Sequence, residues 1–78
     1  MTEIQWMKTF GQNLKELLER SHMTEKELAR RIGVSPATVN RYIHGQVMPS
    51  VKALVNIYYN LNCRYDEVFD LGDEIKLR

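Results

Sequence analysis

The side chains best suited to directional recognition gather between Thr24 and Lys52. Lys26, Arg30, Arg31, Arg41 and Lys52 set five cations against the carboxylates of Glu25 and Glu27, a net +3. Within this stretch, residues 35–44 carry Thr38, Asn40, Arg41 and His44. An arginine fork presents parallel N–H donors to paired acceptors, and an asparagine amide holds one acceptor and one donor group side by side. Groups of this kind read a polar surface. Groups that would make or break bonds are scattered instead. His22, His44 and the single cysteine, Cys63, stand far apart and lack metal-ligand or nucleophile–base spacing. One cysteine supports neither an intrachain disulfide nor a thiolate zinc cluster. Asp66, Glu67 and Asp70 fit a solvated helix face better than an acid–base pair. The four glycines are dispersed and form no phosphate-cradling loop. No catalytic residue, metal site or cofactor is therefore assigned, and the chain is not expected to be an enzyme.

The elements that position these groups must be few. Seventy-eight residues build one core and leave little room for an enclosed pocket. A hydrophobic fraction of 44% is ordinary for a folded domain. The formal charge of +1 hides an uneven distribution: residues 1–23 sum to 0, residues 24–52 to +3 and residues 53–78 to −2. The opening MTEIQWMKTF lacks the basic-then-apolar order of a secretory signal. No apolar run approaches the ~20 residues needed to span a bilayer. These features predict a soluble cytoplasmic domain without membrane association.

Apolar residues recur at helical intervals and nowhere alternate as a strand would. Met7, Phe10, Leu14, Leu17 and Leu18 form one stripe; Leu28, Ala29 and Ile32 a second; Val39, Tyr42 and Ile43 a third. Val51, Leu54, Val55, Tyr58 and Leu61 form a fourth, and Tyr65, Val68 and Phe69 suggest a short fifth. Thr24 followed by Glu27 has the pattern of a capping box. Gly33 suits the left-handed residue that ends a helix. Ser35-Pro36 reads as an N-cap with proline at the first helical position. Gly45 ends the third segment and Ser50 caps the fourth. The predicted fold is thus all-α with five helices, a domain over residues 1–71 and a short charged tail over 72–78.

Residues 24–45 read TEKELARRIGVSPATVNRYIHG: two short helices joined by a turn at Gly33. Ala29 is small where the second helix would cross the first, and Val39 points back at it. Together with Pro49-Ser50 and the later Asp66-Glu67-Val68-Phe69, this run resembles the helix-turn-helix of the Cro and lambda-repressor-like (XRE-type) family of bacterial and phage regulators. The resemblance extends from about Phe10 to Phe69. It implies a compact five-helix domain, helix-turn-helix formed by helices 2 and 3, that binds a double-stranded DNA operator, usually as a homodimer on a two-fold site. The recognition helix, about residues 35–44, would lie in the major groove. Pro36, Ala37, Thr38, Asn40 and Arg41 would then face bases, with Arg41 suited to guanine O6 and N7 and Asn40 to adenine. Thr24, Lys26, Arg30, His44, Gln46 and Lys52 would contact phosphates around that helix.

Several positions depart from the family pattern. Glu25 stands where glutamine is common and would repel a phosphate. Gln46, Val47 and Met48 carry no charge in a loop that relatives often make basic. Leu18 and Ile43 replace an arginine–glutamate pair, so packing is expected there instead of a salt bridge. Tyr58 replaces an alanine, so helix 4 should pack differently or leave that ring at an interface. A second function also fits the chain, an antitoxin or co-regulator whose main partner is another protein. Trp6, Tyr58, Tyr59 and the acidic end are its candidate surface.

Overall fold

Each helix begins where a hydroxyl takes up backbone N–H groups that the helix itself cannot satisfy. A computed structural model describes residues 2–61 of the chain, as four helices with no strand among them. Helix α1 (Glu3–Arg20) starts at a complete capping box. Thr2 Oγ1 accepts from the Gln5 amide at 3.1 Å, and Gln5 Oε1 accepts from the Thr2 amide at 2.9 Å. Helix α2 (Glu25–Ile32) starts at Thr24, whose hydroxyl accepts from the Glu27 amide at 3.1 Å. Helix α3 (Pro36–Ile43) starts at Ser35, with Pro36 in its first turn. Helix α4 (Val51–Leu61) starts after Ser50, which accepts from the Ala53 amide at 3.1 Å.

The expected Thr24–Glu27 box is only half formed. The hydroxyl arm is present, but the Glu27 carboxylate turns to Arg30 and Arg31. Two guanidinium partners attract a carboxylate more strongly than one neutral amide does.

Helix ends follow the sequence closely. Gly33 sits at φ +76°, and the Val34 amide donates back to the Ala29 carbonyl at 3.0 Å, closing α2. The same closure ends α1, where the Met23 amide donates to the Leu18 carbonyl at 2.9 Å. There the left-handed residue is His22, at φ +54°.

The core draws on all four helices. Phe10, Leu14, Leu17 and Leu18 come from α1, Leu28, Ala29 and Ile32 from α2, and Val39 and Tyr42 from α3. Phe10 links the first and third, stacking on Trp6 with centroids 5.2 Å apart and meeting Tyr42 edge-on at 6.4 Å. Leu18 is buried and Ile43 packs against the same core.

The first three stripes lie inward as expected, except that Met7 is only half-buried and stands outside the core cluster, but the fourth does not. The buried row of α4 is Ala53, Ile57 and Leu61, with Leu54 and Tyr58 half-buried beside it. Val51 and Val55, assigned to the core from the sequence, are 77% and 56% exposed. In VKALVNIYYNL apolar residues occupy nearly the whole circumference, so spacing alone selects no face. Packing against α2 makes the choice.

Gly11 is buried where α1 meets the end of α3. A Cβ at this position would lie 2.3 Å from the Ile43 carbonyl oxygen and 2.5 Å from that of Tyr42. The two backbones thus approach too closely for any other residue. The predicted fifth helix around Tyr65, Val68 and Phe69, the boundary at residue 71 and the tail lie outside the described residues.

Candidate nucleic-acid interface

Helix α3 is two-sided because its apolar residues repeat at helical spacing. Val39 and Tyr42 are buried, and burial raises the Tyr42 hydroxyl above its ordinary range. That leaves Pro36, Ala37, Asn40, Arg41 and His44 exposed along the outer side, as expected, while Thr38 is half-buried. The Arg41 guanidinium makes no hydrogen bond or ion pair among the described residues. Its fork is therefore available.

The other residues singled out on this helix are engaged to different degrees. Thr38 Oγ1 lies 2.9 Å from Ser35 Oγ, which ties its hydroxyl into the cap. Asn40 Nδ2 donates to Glu25 Oε1 at 3.1 Å, bridging α3 to the first residue of α2. His44 Nδ1 lies 2.8 Å from the Asn40 carbonyl oxygen. A carbonyl only accepts, so Nδ1 carries the proton in that bond. In the neutral ring Nε2 is then an acceptor.

The flanks hold the remaining candidates. A groove of about 330 Å³ between the start of α2 and the start of α3 is lined by Thr24, Lys26, Glu27, Arg30, Val34 and Pro36. Three of the expected phosphate contacts and one expected base contact thus share one depression, next to the free amides that open α2. Arg30 does not stand alone in it. The Glu27 carboxylate accepts from Arg30 Nη2 at 2.6 Å and from Arg31 Nε at 2.9 Å. The hydrogen bond from Arg30, then that from Arg31, holds the Glu27 carboxyl below the ordinary carboxylate range, and the same pairing raises Arg30. Pairs this exposed add little stability, but they orient both guanidiniums. Gln46 lies exposed in the α3–α4 loop and Lys52 is exposed in the first turn of α4.

The proposed protein-partner aromatics are divided. Trp6 and Tyr58 are half-buried and pack against the core, whereas Tyr59 is 84% exposed. The contact between Glu25 and Asn40 joins two residues whose pairing the sequence does not show. Its signal is weak in a linear sequence, because fifteen positions separate the partners. Among the described residues, no group of three His, Cys, Asp or Glu side chains could hold a metal ion. No helix of that part is long and apolar enough to cross a membrane.

Two short helices locked at a left-handed glycine, the second buried on one side and polar on the other, define a helix-turn-helix domain. A helix-turn-helix family model matches residues 14–68, and the chain belongs to that family. Over 61 residues it is 31% identical to an uncharacterized HTH-type transcriptional regulator of Archaeoglobus fulgidus, a match covering 78% of this chain and 86% of that protein. No solved structure matches. The family comprises DNA-binding proteins rather than enzymes.

Proposed function

We propose that this protein binds duplex DNA sequence-specifically as a small transcriptional regulator, acting as a repressor by occupying its operator. Residues 35–44 enter the major groove, with Pro36, Ala37, Thr38, Asn40 and Arg41 toward the bases. Thr24, Lys26, Arg30, His44, Gln46 and Lys52 contact the flanking phosphates. The observation that carries this reading is the outer side of α3. Its polar residues stand exposed on a helix whose opposite side is buried, and the Arg41 fork has no partner among the described residues. The regulatory role is supported by the name of the Archaeoglobus fulgidus relative. A homodimer on a two-fold operator completes the proposal, since one such domain offers a single reading helix and two copies lengthen the site.

Selection of bound sequences from a random duplex pool tests the reading. A recurrent motif is expected, as two half-sites about one helical turn apart or a multiple of it. Binding should weaken steeply with salt, with log K falling by about 0.9 per log unit for each phosphate neutralised. Enrichment of no sequence would reject DNA reading and leave the protein-partner role, in which Tyr59 supplies exposed aromatic surface.

A further inference from the structure

Glu25 combines three properties that make it more than a surface charge. It is the first residue of α2, half-buried beside the outer side of α3. It forms no ion pair among the described residues, although Lys26, Arg30 and Arg31 stand on the same helix. Its side-chain partner is Asn40, whose Nδ2 donates to Glu25 Oε1 at 3.1 Å. A carboxylate is acceptor-only, so it can pair with the amide nitrogen of asparagine and not with the amide oxygen. An unconstrained asparagine flips freely and can present either atom. Here one orientation is selected: Nδ2 faces Glu25 and Oδ1 is left as the free acceptor.

We infer that Glu25 is a positioning residue that fixes the polarity with which Asn40 reads its base. The inference rests on the DNA-reading function proposed above. With Oδ1 presented, Asn40 favours a base offering an exocyclic amino donor in the major groove, the N6 amine of adenine or the N4 amine of cytosine. It disfavours guanine and thymine, which offer the acceptors O6 and O4 there. The negative charge near the phosphates lowers affinity for every sequence alike, so the residue exchanges overall strength for discrimination at one position.

The test is Glu25→Gln, compared with wild type, Asn40→Ala and the double variant by sequence selection and by titration of single-base operator variants. Glutamine keeps the size of the side chain, but its amide can either accept from or donate to Asn40, so the asparagine is released to flip. Wild type should favour adenine or cytosine at one position by about fivefold, the worth of roughly one hydrogen bond. In Glu25→Gln that preference should fall toward unity, while affinity averaged over sequences rises. In the Asn40→Ala background, Glu25→Gln should change no base preference. A uniform rise in affinity with the base profile unchanged would overturn the positioning role, as would an Asn40→Ala profile identical to wild type. Either result leaves DNA reading through Arg41 intact. If wild type itself selects no sequence, the failure lies instead with the DNA-reading function, and the inference falls with it.

Discussion

Gly33 and Gly11, two of the glycines around α3, are required for opposite reasons. Gly33, in the turn before the helix, has φ +76° and open space around it; a Cβ there would meet nothing within 4 Å. Gly11 lies in the seam between α1 and the end of α3. Its φ is not positive, yet a Cβ would strike two backbone carbonyl oxygens. The turn therefore requires a conformation and the seam requires an absence of atoms. The first demand is local and its violation costs only what one residue's dihedrals cost. The second involves two helices, so its violation must displace one of them. What separates these regions is how many other residues have to move when each is disturbed.

The largest expected effect is at the seam. Gly11→Ala should destabilise the fold by about 3 kcal/mol or more, because the obstructing atoms are backbone and cannot rotate away. Urea unfolding measures this, and a loss below about 1 kcal/mol would show that the helices separate easily. Next comes the exposed side of the helix that the seam holds. Arg41→Ala should weaken operator binding by ~1–3 kcal/mol and relax preference at one base position. Its unfolding free energy should stay within about 0.5 kcal/mol of wild type, as expected for an exposed site. An equal loss of affinity for all sequences would instead assign Arg41 to a phosphate. Gly33→Ala should cost about 1 kcal/mol, since a left-handed alanine is strained but meets no neighbour. The smallest effect should have the opposite sign. His22 holds a left-handed conformation, φ +54°, without being glycine. His22→Gly should raise stability by about 0.5 kcal/mol, the strain relieved being partly offset by greater freedom of the unfolded chain. Thermal melts of His22→Gly and Gly33→Ala together would show whether turn effects are as local as proposed.

Legibility from sequence varied in the same way. Caps and turns at Thr24, Gly33, Ser35 and Ser50 depend on residues within a few positions, and each occupies its expected place. The inner side of α3 was legible because Val39 and Tyr42 stand among polar neighbours that leave one choice of face. α4 was not, because it is apolar on most sides and Ile57 could not be ranked above Val55. Within the candidate site, the exposure of Pro36, Ala37, Asn40 and Arg41 followed from the spacing. The state of each polar group did not. Thr38 is drawn into the Ser35 cap, Arg30 into the Glu27 cluster, and Asn40 onto Glu25. The first two partners are near in the chain and were in principle visible. The third depends on how α2 and α3 cross.

The sequence by itself determined where α2 and α3 start and stop, where α4 starts, and which side of α3 is left outside the core. Those properties arise from hydrogen bonds spanning three to five residues and from the helical repeat, so a linear reading reaches them. Tertiary structure alone decided which row of α4 is buried, why position 11 must be glycine, and which way the Asn40 amide points. Each of these is settled by atoms of a different helix, brought close only by the packing of the core.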